Sequence, residues 1–403
     1  MEVKLPDSFL WGASLSAYQC EGGNFDSDWR FWEEEKGLEK AGRACNHYEL
    51  FREDFHRARK LGLNSLRISF EWSRLVPEEN YFCSESINHY SEVIDELLKL
   101  GLKPVVTLHH FTNPLWFTKK GGWEVSGNID YFLSYTRYIV ESLKDKVPVW
   151  LILNEPLVYI YKGFLEGSWP PGCKSLSRAK KVYNNMIRAY ILAFDEIKKI
   201  YSEEFQEPQV SLAKHMRYFS GCGCFPAFFN SFIAGVRDKL FNTDGLSYLA
   251  SKGKMDFIGL NYYCREYDRF SFPLGRECDC RQRGRKNYMG WNIYPQGLYK
   301  ILKRMKEFGL PVIITENGSA EAKNSFYADF LLEHLRSLGR ALLAGVDIRG
   351  YFWWSLIDNF EWDKGFSPRF GLFEVVYSDF SRRRRDFAEL YSEICKSNKI
   401  DLN

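Results

Sequence analysis

The chain lacks what would carry it into or across a membrane. It has no run of about 18 apolar residues able to span a bilayer. Its first residues, Met1-Glu2-Val3-Lys4-Leu5-Pro6-Asp7, contain no apolar core of a secretory leader. A cytoplasmic location is therefore expected, where the 10 cysteines should stay reduced. An excess of charge of one sign is also missing. The net charge of +3 over 403 residues gives no reason to expect a nucleic-acid partner. The one basic run, Arg382-Arg383-Arg384-Arg385, has no aromatic residues interleaved with it. It directly precedes the last helical stretch and reads as a solvated helix start with ion pairs.

Linkers, low-complexity segments and breaks in composition are absent too, so a single domain over residues 1–403 is expected. Two cysteine pairs, Cys222/Cys224 and Cys278/Cys280, have Cys-x-Cys spacing in loop-like segments. Zinc sites usually use Cys-x₂₋₄-Cys, so the match is poor, and the pairs could join as a metal site or as disulfides. No catalytic metal and no cofactor is expected. What the chain has in surplus is aromatic residues: 12 Trp, 24 Tyr and 32 Phe. Most must fill a core, but such rings also stack on the apolar C–H faces of sugars.

Eight apolar, partly β-branched runs read as buried strands: residues 9–16, 65–70, 104–110, 149–155, 210–215, 257–263, 312–316 and 350–356. Amphipathic stretches alternate with them, at 47–61, 86–100, 129–143, 177–201, 294–308 and 325–344. Several of these hand over through an apolar-Gly-apolar step, at Gly62, Gly101, Gly309 and Gly345, where glycine suits a left-handed helix end. Asn46 with Glu49 resembles an N-terminal capping box. Residues 220–250 are harder to read, with one helix expected around 230–240. Residues 267–288 read as a long loop after the sixth strand. The alternation predicts a single (β/α)₈ barrel with elaborated loops after its strands.

In such a barrel the chemistry sits where strands end. Strand four ends in Asn154-Glu155 and strand seven in Glu316-Asn317. A buried carboxyl without a partner is costly, so two at one barrel mouth point to function. Paired carboxyls are the minimal equipment for cleaving a glycosidic bond, one attacking C1 and the other protonating the leaving oxygen. Arg67 and Tyr263, with Asn261, are the groups placed to keep a nucleophile ionised. Spacing alone does not say which glutamate plays which part. His109 and His110 are adjacent on a strand and point to opposite faces, so both cannot chelate one ion. By the same alternation Trp353 should pack outward and Trp354 inward, with Tyr262 in the core and Tyr263 at the site.

Three motifs occur in order, in register with these strands: Asn154-Glu155-Pro156, Thr315-Glu316-Asn317-Gly318 and Trp354-Ser355-Leu356-Ile357-Asp358-Asn359-Phe360-Glu361-Trp362. In them the chain resembles glycoside hydrolase family 1, the β-glucosidase and β-galactosidase family, over nearly its whole length. It is most similar to the archaeal thermophilic members through His109-His110-Phe111-Thr112, Trp116 and Glu71-Trp72-Ser73-Arg74. The resemblance implies Glu155 as acid/base and Glu316 as nucleophile. It implies Gln19, His110, Asn154, Tyr263, Glu361 and Trp362 as sugar-binding groups, Trp354 as stacking platform and Phe370 as closing residue. It further implies a retaining, exo-acting enzyme for terminal β-D-glucosyl or β-D-galactosyl residues of a small β-glycoside or oligosaccharide. Retention of Glu361-Trp362 favours an unphosphorylated sugar. Mannoside, fucoside or transglycosylation specificity, a silent sugar-binding barrel, and homo-oligomerisation stay open. Departures from the family pattern are Thr112-Asn113-Pro114, Arg188 and Cys20.

Overall fold

Short apolar strands that are hydrophobic on both faces can be hidden only between a filled interior and an outer layer of helices. The computed structural model of the chain describes residues 1–202, 207–271, 275–278, 284–321 and 325–403. The eight runs form β1 (Leu10–Ser14), β2 (Ser65–Ser69), β3 (Lys103–His109), β4 (Val149–Asn154), β5 (Gln209–Gly221), β6 (Ile258–Arg269), β7 (Val312–Asn317) and β8 (Ile348–Trp354). Each lies parallel to its chain neighbours, β8 returns to β1, and the ring closes as a (β/α)₈ barrel. The interior is packed by Val105, Val149, Leu151, Ala213, Phe257, Ile313 and Phe352, with Leu10 beside them.

The outer layer is α1 (His47–Lys60), α2 (Ser84–Lys99), α3 (Ile129–Leu143), α4 (Leu176–Tyr201), α5 (Ala227–Asp238), α6 (Pro295–Met305), α7 (Ser325–Leu343) and α8 (Asp386–Ser397). On α4 the buried set Ala179, Val182, Met186, Ala189, Ala193 and Ile197 recurs every three or four residues, which lays one stripe against the barrel. Gly62, Gly101, Gly309 and Gly345 have φ of 83°, 68°, 66° and 78°, the left-handed helix ends expected of them.

Three expectations need correction or extension. Asn46 has φ 55° and makes no side-chain capping bond, because the cap position normally needs an extended backbone to turn its oxygen inward. The arginine run is not a solvated helix start. Residues Ser381–Arg384 form a strand paired antiparallel with Phe373–Val376. Arg382 is buried against Asp54 with two bonds of 2.9 Å, and Arg385 is buried against Asp358. Residues 267–269 continue β6 rather than a loop, and Arg276–Glu277 pairs back onto them. Parts of 267–288, including Cys280, lie outside the described residues.

Asp358 anchors the segment after β8. It accepts both arms of Arg385, at 2.9 and 2.8 Å, and the Gly371 amide at 2.9 Å. Removing one partner of a buried pair strands the other charge. Asp358→Ala should therefore lower unfolding free energy by about 3–5 kcal/mol in a denaturant titration. An unchanged midpoint would show that the pair does not hold this segment.

Candidate active site

The strand ends depart from strict alternation where the site is built. Register shifts fall between Leu151 and Asn154, between Leu260 and Asn261, and between Tyr351 and Trp353. Such irregularities re-aim side chains at barrel rims. Glu155 follows with φ 44°, a left-handed conformation uncommon outside glycine, and its amide donates to Ala213 O at 2.8 Å. Pro156 then starts a short helix, where its missing N–H costs nothing. Beyond β7, Gly318 lies so close to Trp354 that a Cβ would sit 2.0 Å from the Trp354 carbonyl oxygen, so only glycine fits.

One bonded network links both glutamates. Arg67 is fully buried. It donates to Thr107 Oγ1 at 3.1 Å, to Asn154 Oδ1 at 2.7 Å and, in a very short contact, to Glu316 Oε1. Tyr263 donates its hydroxyl to Glu316 Oε2 at 2.5 Å. Asn261 donates to Glu155 Oε1 at 2.8 Å and to Asn154 Oδ1 at 3.2 Å, while Thr315 donates to Asn261 Oδ1 at 2.6 Å. Asn154 Nδ2 donates to His110 Nε2 at 3.1 Å. Burial, with Arg67 nearby, pushes His110 far below its ordinary range, so the ring is neutral. Its proton then sits on Nδ1, which is buried and has no hydrogen-bond partner among the described residues.

The remaining expected residues gather beside this network. Gln19 Nε2 donates to Glu361 Oε2 and Asn359 Oδ1, each at 3.1 Å, and Ser16 donates to Gln19 Oε1 at 2.6 Å. Burial, with the charges of Glu316 and Asp363, pushes Glu361 up to about 8. Trp354 lies nearly parallel to His110, at 6.1 Å and 20°, and packs in one apolar group with Tyr263 and Phe370. Trp362 stacks on Tyr18 at 5.9 Å and is flanked by Trp29 and Trp169. Trp353 faces outward onto Phe330 and Phe387, and Tyr262 is core. His109 packs on Trp123 and bonds Asn113, away from His110. Asn113 also takes both oxygens of buried Asp28, so that departure from the family pattern is structural; Arg188 is exposed on α4.

Sequence reading overlooked His215 and Trp291. His215 is the last residue of the fifth apolar run and pairs with Asn261 across β5 and β6, so strand-end position was the available signal. Trp291, 5.4 Å from Tyr263 and 6.2 Å from Phe370, comes from the loop before α6 and carries no such mark. Arg217 Nε donates to His215 Nε2 at 3.0 Å. An arginine never accepts, so His215 holds its proton on Nδ1 and donates it to Glu155 Oε1 at 3.1 Å. Burial depresses His215, which keeps it neutral.

Burial raises Glu316 to about 7, against the pull of Arg67 and with the added repulsion of Glu155. Glu155 is held lower, against burial, by His215 and Asn261, foremost by positive charge on His215. The tautomer above removes that charge and leaves only a hydrogen bond. Arg67 and Tyr263 both point at Glu316, and a protonated Glu316 would strand a buried cation. We therefore place the anion on Glu316 and the proton of the coupled pair on Glu155.

Paired carboxyls at the mouth of a closed parallel barrel define a glycoside hydrolase, and comparison with known proteins agrees. The profile of glycosyl hydrolase family 1 matches residues 1–222 and 215–400. Beta-glucosidase A of Thermotoga maritima is 33% identical, over 99% of this chain and 99% of that protein. A beta-galactosidase of Pyrococcus woesei is 30% identical, over 98% of each. The structure of a beta-glycosidase from Pyrococcus horikoshii superposes with a TM-score of 0.93 at 37% identity, covering 100% of this chain and 97% of that one. The chain belongs to glycosyl hydrolase family 1.

The His215 bond favours the ionised form of Glu155, so its loss should raise the upper pKa of the pair. His215→Ala should move the alkaline limb of kcat/KM for an aryl glycoside to higher pH by about one unit. The opposite shift, or none, would remove His215 from the control of this carboxyl.

Proposed function

We propose that the protein is a retaining, exo-acting β-glycosidase that removes a terminal β-D-glucosyl residue, and a β-D-galactosyl residue, from the non-reducing end of a small glycoside. The observation that carries this reading is the bonded path from Glu316 through Arg67, Asn154 and Asn261 to Glu155. It sets an anion with two donors beside a carboxyl able to hold a proton. The names of the Thermotoga and Pyrococcus relatives support the glucosyl and galactosyl choice.

In this mechanism Glu316 attacks C1 while Glu155 protonates the departing oxygen, which gives a glycosyl ester on Glu316. Esterification removes the negative charge next to Glu155. Its carboxyl, already deprotonated in the first step, then takes a proton from water as that water attacks C1, the ester bond to Glu316 breaks and the Glu316 carboxylate is released. Tyr263 and Arg67 hold the nucleophile, and Asn261 and His215 orient the acid/base. Gln19 and Glu361 each have two polar atoms and can bind adjacent hydroxyls, accommodating O4 in either orientation. His110 Nδ1 offers a further donor. Trp354 stacks on the ring, and Trp362 and Phe370 complete the walls. The two carboxyls supply both chemical steps, so no cofactor is required. Eight of the nine described cysteines are free thiols, Cys278 being in a disulfide, and this balance supports a reducing, cytoplasmic setting; the continuous barrel supports one catalytic domain.

Proton NMR of an aryl β-D-glucoside during hydrolysis should show β-glucose released first; early α-glucose would overturn the mechanism. Glu316→Ala should cost at least about 10⁴-fold in kcat with folding intact. Glu155→Ala should slow alkyl glycosides by roughly 10²–10⁴-fold and activated aryl glycosides much less. Equal losses on both would contradict the acid role.

A further inference from the structure

Beyond the barrel rim, β5 and β6 run on as a paired extension, with Ser220 opposite Tyr267 and Gly221 opposite Asp268. Cys222 follows directly, its amide donating to Asp268 O at 2.8 Å. Cys224 comes two residues later. The short strand Arg276–Glu277 folds back on Asp268 and Arg269, and the next residue, Cys278, donates its amide to Tyr267 O at 2.7 Å. The Sγ atoms of Cys222, Cys224 and Cys278 lie within 4.8 Å of one another, the one such convergence of metal-competent side chains among the described residues. Asn230 of α5, fully buried, donates Nδ2 to Cys222 Sγ at 3.3 Å, to Cys222 O at 3.1 Å and to Cys224 O at 2.7 Å. Its Oδ1 accepts the Phe270 amide at 2.8 Å.

We propose that Cys222, Cys224 and Cys278, as thiolates, bind a zinc ion that fastens α5 to this extension. Zn–S bonds of about 2.3 Å at tetrahedral angles put neighbouring sulfurs about 3.8 Å apart. Small side-chain rotations bring these three atoms to that spacing. The chain bends at Gly223 and Cys224 just past the strand end, and this bend brings both sulfurs of the Cys-x-Cys pair to one place. An N–H aimed at a ligand sulfur is the outer-shell contact that orients and stabilises a metal-bound thiolate. Thiolate donors select soft or borderline cations over calcium or magnesium.

Cys222 and Cys224 are free thiols, and Cys278 is held in a disulfide. Its thiolate therefore requires reduction, in which a phosphine takes oxygen from water and the disulfide becomes two thiols. A tetrahedral ion needs a fourth ligand; Cys280, two residues on in sequence, lies outside the described residues. The energetic need is local. The described buried residues of the twelve-residue α5 are Asn230, Ile233 and Ala234. Its phenylalanines face out, with Phe228 78% and Phe232 61% exposed. A helix with so little burial gains most from a covalent or metal tie.

The test uses phosphine-reduced, chelator-treated wild-type protein titrated with Co²⁺ alone and then Zn²⁺. A near-ultraviolet thiolate-to-cobalt charge-transfer band that saturates near one equivalent and is displaced by zinc is expected. Elemental analysis should then find about one zinc per chain. The Cys222→Ser/Cys224→Ser double variant should lose both signals. No band in the reduced wild type, or a full equivalent of zinc retained by the double variant, would overturn the proposal. If the double variant does not fold, the wild-type titration decides.

Discussion

A guanidinium with no exposure to solvent organises this protein's mouth. A buried cation is tolerated only when its donors are spent on partners and its charge is matched. Arg67, on β2, meets this by reaching Thr107 on β3, Asn154 on β4, and Glu316 and the Thr315 carbonyl on β7. Four strands are thereby held in one arrangement by a single side chain. Because Arg67 cannot lose its proton, the carboxylate it touches is the member of the pair on which the anion is favoured. The second glutamate is then defined by contrast: it sits near that anion and has neutral donors, Asn261 and His215, in place of a cation. Two carboxyls on one barrel acquire different chemistry from this one placement.

The arrangement is costly elsewhere. Glu155 occupies a left-handed backbone, Trp362 another at φ 51°, and desolvation with the charges of Glu316 and Asp363 pushes Glu361 up to about 8. Such conformations survive only where the surroundings over-determine them. Here the surroundings are a packed barrel interior and the Asp358–Arg385 pair that clamps the segment carrying Glu361. A sugar supplies the hydroxyls that these desolvated groups lack. The strain and the unspent donors are thus preorganisation for a ligand rather than defects of packing.

Much of this was legible in the chain because it rests on local pattern. Apolar, partly β-branched runs located all eight strands, with a glycine step ahead of four of them, and polar residues at strand ends located the mouth. Alternation separated His110 from His109 and Trp354 from Trp353. What escaped depended on contacts between distant segments or on backbone departures from the ideal. Arg382 and Arg385 read as solvated because nothing nearby in sequence announces Asp54 or Asp358. The Asn46 cap failed because a left-handed residue cannot be inferred from a motif. His215 was passed over because its role needs Arg217 and Glu155 together, and β5 and β6 outran their apolar cores because charged Glu266 and Asp268 are neutralised by Arg217 and Arg237.

These same extensions mark a change in how the structure is held. Over the barrel, each helix buries an apolar stripe, and hydrophobic burial is sufficient. Past the rim, that stripe gives out: α5 turns phenylalanines to solvent, and the strands beneath it carry ion pairs. In these pairs the carboxylates of Glu266 and Asp268 are buried, while Arg217 and Arg237 are partly exposed. Ordering a segment costs about 1–2 kcal/mol per residue in backbone entropy. Against that cost the twelve residues of α5 bury only a few described side chains, Asn230, Ile233 and Ala234. Among the described residues, three converging sulfurs add a tie of another kind to this region, whether spent on a metal or a disulfide. Because they lie on the continuation of the strands that carry His215 and Tyr263, whatever ties them also bears on how firmly β5 and β6 hold those two residues.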